Sequence, residues 1–257
     1  MTSRSRPSAP ERPLSPLPVP PAGAAGPAAG EVTGPSLGEV TGAVLCGGQS
    51  RRMGADKALL PLDGRRLIEY SIDALRPVAG RILLACGPRP RYAELALETV
   101  LDDFPDGGPL AGLLAALEAC RGEWLVLVAC DMPRVEPRVL RALLDEAARA
   151  DLDVCLLEIE RGTQPLCGVY RKTCAPAVRR SLELGERRMV DFHAPRPGEP
   201  PLRPGESPLR IGTLAARDLV PSSAGRDFQP ALNLNSPGEL QAEALRLAAA
   251  GPAREAL

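Results

Sequence analysis

LCGGQSRRMGADKALL, residues 45–60, closes a short apolar run and leaves it through two glycines. Gly47 and Gly48 tolerate positive φ and let backbone N–H groups come close to an anion. Arg51, Arg52 and Lys57 add positive charge to the same loop, so the segment reads as a phosphate-binding turn at the end of a strand. A plain glycine turn with a solvated basic face is the competing reading. Neither G-x-x-x-x-G-K-[ST] nor G-x-G-x-x-G can be fitted, which excludes a P-loop and a dinucleotide fingerprint.

Outward from this loop, short apolar runs alternate with helical periodicity. Ala43 to Cys46, Ile82 to Cys86, Trp124 to Cys130, Val154 to Leu157 and Leu166 to Tyr170 suit buried strands. Leu67 to Leu75, Leu110 to Cys120 and Val139 to Ala148 repeat apolar residues at i, i+3 and i+4, the mark of amphipathic helices. Ser236, Pro237 and Glu239 supply the cap, first-turn proline and first-turn acid of a last helix. Strand and helix in alternation predict an α/β fold with a largely parallel sheet.

Two segments of the 257-residue chain stand apart. Residues 1–40 hold nine Pro, five Gly, six Ala and five Ser, so they cannot bury enough apolar surface to offset the entropy of ordering, and are expected to be disordered. Residues 195–208 contain six prolines and are expected to form a loop or insertion within a domain spanning 41–250.

Composition removes several functions. A formal net charge of −1 with 25% charged residues argues against a nucleic-acid binder, and no apolar run reaches the length of a membrane span. A cytoplasmic location follows as the default, because the Arg-bearing N-terminus leads into prolines instead of a signal-peptide core. Seven cysteines without any C-x-x-C signal neither a disulfide framework nor a zinc cluster, and read as small buried hydrophobes. His193 is the single histidine, which disfavours multi-histidine metal sites.

Two further segments carry chemistry. In ACDMP, residues 129–133, Asp131 stands at the carboxyl end of a strand, where parallel α/β sheets collect ligands; a carboxylate there suits Mg²⁺, although capping the turn before Pro133 is the simpler role. DDFPDGGPLAGLLAAL, residues 102–117, runs an acidic, glycine-rich stretch into a helix N-terminus. Its small residues Ala111 and Gly112 leave room for a flat base against the backbone.

Together with GERRMVDF at 185–192 and NLNSPGEL at 233–240, these motifs resemble, in order and spacing, the molybdenum cofactor guanylyltransferase (MobA) family over roughly residues 41–245. The resemblance implies a Rossmann-like nucleotidyltransferase fold, a mostly parallel central sheet flanked by helices. It also implies Mg²⁺-dependent transfer of GMP from GTP to the terminal phosphate of molybdopterin, with release of pyrophosphate. Carried over by position, it puts Leu45, Cys46, Gly47, Gly48, Lys57, Asp103 and Asp131 at the nucleotide, with Asp131 as metal ligand. Lys57, Asp131 and Arg52 are the implied catalytic residues, and Asn233 and Asn235 face the acceptor. The implied partners are GTP, molybdopterin and, downstream, molybdoenzymes or their chaperones, with no nucleic acid and no membrane. The chain departs from the family pattern at Cys46 and Ser236, where alanine and threonine are more usual, and at Ala85, where some members carry an asparagine near the base. A CTP-dependent molybdopterin cytidylyltransferase, another small-molecule nucleotidyltransferase of this fold, and an inactive nucleotide-binding regulatory module remain the alternatives.

Overall fold

The computed structural model describes residues 39–47, 56–104, 106–193, 208–220 and 228–250. Of residues 1–40, for which disorder is expected, 1–38 lie outside them, whereas Val40 is buried and opens the first strand; all but Pro208 of the proline-rich 195–208 segment, expected to be a loop, lie outside as well. Nine strands and five α-helices occur among the described residues. In chain order they are β1 (Val40–Leu45), β2 (Pro61–Leu62), β3 (Arg65–Arg66), α1 (Leu67–Leu75), β4 (Arg81–Ala85), β5 (Glu98–Val100), α2 (Gly108–Ala119), β6 (Trp124–Ala129), α3 (Pro137–Arg149), β7 (Val154–Ile159), β8 (Gly162–Arg171), α4 (Ala175–Glu183), β9 (Ile211–Ala215) and α5 (Pro237–Ala250).

Seven strands form one sheet in the order β5-β4-β1-β6-β8-β7-β9, while β2 and β3 make a separate two-stranded hairpin. β1 pairs in parallel with β4 on one side and β6 on the other. β8 runs antiparallel to both β6 and β7, which the expectation of a largely parallel sheet accommodates. The chain first moves outward from β1 to β4 and β5, then returns to add β6 on the opposite side. This reversal opens a crevice at the carboxyl ends of β1 and β6, the place where ligands bind in open α/β sheets.

Alternation along the strands explains why both faces are covered. In β1, Ala43 and Leu45 pack with Leu110, Leu113 and Leu117 of α2 and Val178 and Leu182 of α4. Val44 and the following Cys46 point the other way, into Ile68, Ile72 and Leu75 of α1 and Val139, Leu140 and Leu143 of α3. A strand buried on both faces cannot show polar alternation, hence the continuous apolar run at its sequence. Each fully buried Leu or Val contributes about 1.5–3 kcal/mol relative to exposure, which makes these runs the main stabilising element. Ser71 fixes α1 to the crevice: its Oγ donates to the carbonyl of Ala129, the last residue of β6, at 2.9 Å.

Candidate active site

β1 and β6 end side by side, and the chain leaves each of them toward the crevice. Cys46 N donates to Ala85 O at 3.0 Å and Cys130 N donates to Leu45 O at 3.1 Å, so the strand register holds one residue beyond each strand. Gly47 follows where a side chain has no room, because a Cβ there would stand 2.5 Å from Gly87 N and 2.9 Å from the Cys86 carbonyl carbon. The glycine thus serves close backbone approach. Gly48 and Arg52, like Arg51, lie outside the described residues.

The far end of the loop is pinned by Asp56. Its carboxylate accepts from Ala58 N at 3.2 Å, capping the short helical turn Lys57–Leu59, and from the Tyr92 hydroxyl at 3.0 Å. Arg91 forms an ion pair with the same carboxylate. Tyr92 also reaches the Cys46 carbonyl at 3.2 Å, so one side chain ties both ends of the loop together. Asp56, Arg91 and Tyr92 escape motif reading because their roles depend on contacts more than thirty positions apart.

The turn held by Asp56 aims Lys57 at Asp131. Nζ lies 2.5 Å from Oδ2, with both side chains about 15% exposed. The other carboxylate oxygen, Oδ1, is buried and has no hydrogen-bond partner among the described residues. An ionised carboxylate oxygen without a partner is costly, and a hard cation is the ligand such an oxygen seeks. The residue therefore fits the metal role assigned to it by position.

Lys57 Nζ also donates to Asn235 Oδ1 at 2.8 Å. The segment carrying Asn233 and Asn235 is tied to the same strand end by Leu234 N, which donates to Asp131 O at 3.0 Å. Leu234, fully buried, packs with Leu62 and Leu67. Alternation then turns its two neighbours away from that cluster. Asn235 meets Lys57, whereas Asn233 Nδ2 donates to Ala231 O at 3.3 Å and Gln164 Oε1 at 3.4 Å. Ser236 caps α5 as expected, accepting from Glu239 N at 3.3 Å.

The acidic stretch before α2 is arranged differently from the reading by position. Asp103 is exposed, while Asp102 is turned inward, with Oδ1 buried and unpartnered among the described residues. Its backbone N donates to Gly87 O at 3.0 Å, continuing the β5 side of the sheet toward the site. Burial, with a smaller contribution from the charge of Asp103, pushes the Asp102 carboxyl up to about 6. Two adjacent acids made the choice between them invisible to spacing. A Cβ on Gly112 would come within 2.6 Å of Leu45 Cδ2 and 3.8 Å of Asp102 Oδ1. The small residue therefore serves strand–helix packing, and the space expected to be open to a base is filled by Leu45. Ala85, at the corresponding end of β4, is likewise buried beside it.

Gly47 at the end of β1 and the Lys57–Asp131 pair at the end of β6, at the switch point of a mostly parallel sheet, fit the plan of an α/β nucleotidyltransferase. Within that class the chain belongs to the MobA-like NTP transferase domain family, whose model matches residues 42–197. It is similar to a protein named probable molybdenum cofactor guanylyltransferase from Carboxydothermus hydrogenoformans, 39% identical over 151 residues covering 59% of this chain and 75% of the relative. The molybdenum cofactor guanylyltransferase of Pseudomonas syringae pv. syringae is 35% identical over 147 residues, 56% of this chain and 73% of its own. Among solved structures, molybdopterin-guanine dinucleotide biosynthesis protein A from Archaeoglobus fulgidus superposes with a TM-score of 0.62 at 25% identity, covering 81% of this chain and 99% of its own. No helix among the described residues is long and apolar enough to cross a membrane.

Proposed function

We infer that the protein is a molybdenum cofactor guanylyltransferase that moves GMP from GTP to the terminal phosphate of molybdopterin and releases pyrophosphate. The observation that carries this reading is the Lys57–Asp131 pair at the switch point, with one Asp131 oxygen buried and unpartnered among the described residues, in a chain of this family. A phosphate oxygen of the acceptor attacks the α-phosphorus of GTP. A phosphate monoester is already anionic at neutral pH, so the reaction asks for positioning and charge neutralisation, and the scarcity of histidine is no obstacle.

Lys57 and Asp131 neutralise one another before substrate arrives. Binding of the triphosphate exchanges partners: Lys57 turns to the phosphates, and Asp131 is released to hold a divalent cation, Mg²⁺ in this reading. When bound, that cation supplies Lewis acidity and a template at the α-phosphate. The backbone of Leu45, Cys46 and Gly47 lines the nucleotide, and Arg52 and Gly48 belong to the same loop by position. Asn235 orients Lys57 from the acceptor side, with Asn233 beside it.

Base selection rests on Asp102 in place of Asp103. Guanine presents N1–H and N2–H donors on one edge, and a carboxylate accepts both; adenine and cytosine offer no such pair. With its carboxyl at about 6, Asp102 is mostly ionised at neutral pH and thus an acceptor. The product would pass to molybdoenzymes or their chaperones in the cytoplasm. Competition among GTP, CTP and ATP at equal concentration, with molybdenum-loaded molybdopterin, tests the reading: GMP transfer should dominate, and CMP transfer at an equal rate would assign the site to a cytidylyltransferase.

A further inference from the structure

Cys46, Cys86 and Cys130 directly follow the last residues of β1, β4 and β6, three neighbouring parallel strands. The register carries on through them, with Cys46 N on Ala85 O at 3.0 Å and Cys130 N on Leu45 O at 3.1 Å. All three side chains therefore share the face covered by α1 and α3, and all three are buried. Within this row the Sγ atoms of Cys46 and Cys86 stand 3.6 Å apart. Neighbouring strands are about 4.8 Å apart, inside the Cα separation of about 4.4–6.8 Å that a disulfide spans, so a bond of about 2.05 Å is within reach once the strand ends at Cys46 and Cys86 draw together.

We propose that Cys46 and Cys86 form a reversible disulfide that disables the nucleotide loop, closed by a peroxide and reopened by a thiol. Cys86 is the attacking group, since the hydrogen bond from Cys46 outweighs burial and holds its thiol below the ordinary range, while the same bond pushes Cys46 up. The Cys86 thiolate attacks a peroxide oxygen: an S–O bond forms, the O–O bond breaks, and hydroxide leaves to take up the proton Cys86 had shed. Cys46 then attacks the sulfenic sulfur. The S–S bond forms, the S–O bond breaks, and the departing hydroxide joins the proton of Cys46 as water. Two thiols are oxidised by two electrons and one peroxide is reduced to two waters.

The site has no slack to absorb the new bond. Immediately beyond the two cysteines, Gly47 and Gly87 are already at backbone contact, with a Cβ on Gly47 only 2.5 Å from Gly87 N. Beyond Cys46 the carbonyl is held by Tyr92 at 3.2 Å. Movement of Cys46 therefore passes into Leu45 and Gly47, the backbone that lines the nucleotide, and a displacement of about 1 Å at such a place costs on the order of 100-fold in rate. The effect on turnover rests on the guanylyltransferase reading, whereas the bond itself does not.

The full-length protein is to be treated with hydrogen peroxide, alkylated under denaturing conditions and mapped by peptide mass, with GTP affinity measured by calorimetry before and after. A linked peptide pair carrying Cys46 and Cys86, a fall in GTP affinity of about tenfold or more, and recovery with dithiothreitol are expected. Cys86→Ala should bind GTP as the wild type does and ignore peroxide; Cys86→Ser serves the same purpose if the alanine variant folds poorly. A Cys46–Cys130 link, no link at all, or a link without loss of affinity would overturn the proposal. Failure of the reduced protein to bind GTP would instead defeat the guanylyltransferase reading, leaving the peptide map to judge the disulfide.

Discussion

Asp102→Asn should stabilise the fold while weakening GTP binding. Burial moves the Asp102 carboxyl from its usual value near 3.8 up to about 6. A pKa raised on folding means that the native state holds its proton longer, so stability is lost as pH rises from about 4 to about 6. At about 1.4 kcal/mol per tenfold change, a fully shielded group would cost about 3 kcal/mol at neutral pH. Asp102 is half-buried, and solvent screening reduces this to about 1 kcal/mol. Asparagine has a similar shape and no charge, so it should raise the melting temperature by about 2–4 °C at pH 7.5, by least near pH 4, and by a constant amount above about pH 6.5. Over the same substitution GTP affinity should drop about tenfold or more, since hydrogen bonds to a charged acceptor contribute about 1.5–3 kcal/mol each. Melting curves across this pH range and calorimetric titration with GTP provide both readouts. A variant less stable than wild type at pH 7.5, or one with unchanged GTP affinity, would refute the reasoning.

Lys57→Ala and Asp131→Asn should each lower kcat by about 100-fold or more with circular dichroism unchanged, because in the proposed reaction the pair neutralises charge where bonds form and break. Gly47→Ala places a Cβ 2.5 Å from Gly87 N and should cost about 1–3 kcal/mol of stability in denaturant titration as well as activity. Burial raises the Glu243 carboxyl, but hydrogen bonds from Arg246 and Arg134 prevail and hold it below the ordinary range. Its contribution is present at neutral pH and lost on acidification, and Glu243→Gln should destabilise by about 2 kcal/mol at pH 7 in urea unfolding. Removal of residues 1–38, a stretch composed without a core, should leave the melting temperature and turnover as they were.

The parts of the fold that read clearly were those whose burial leaves a long trace. β1 and β6 are apolar runs closed by glycine or aspartate, and α1 matches its predicted bounds, Leu67 to Leu75, because its apolar stripe has an unbroken helical period. β5 is three residues, Glu98–Val100, and β9 is half-exposed at the sheet edge, so neither produces an apolar run to detect. The antiparallel direction of β8 follows from its hairpin with β7 through Gly162, which strand patterning does not encode. At the candidate site, the sequence marks Lys57 and Asp131 as residues suited to phosphate and metal on loops that follow strands. Their direct contact, and the link to Asn235, arise from chain segments up to 178 positions apart. Of the two adjacent acids, Asp102 turns inward and Asp103 outward, and spacing does not encode the bond from the Asp102 N–H to Gly87 O that goes with this arrangement. The cysteine row was legible as buried thiols, but the approach of Cys46 to Cys86 needed the sheet order.

Doubly labelled GTP offers the most direct test of the central claim. With molybdenum-loaded molybdopterin and Mg²⁺, label at the α-phosphorus should appear in a dinucleotide product and label at the γ-phosphorus in pyrophosphate, in equal amounts, with transfer abolished in Lys57→Ala. Release of γ-label as inorganic phosphate, or retention of the α-label in unreacted GTP while the protein binds it tightly, would contradict the assignment of this site to guanylyl transfer.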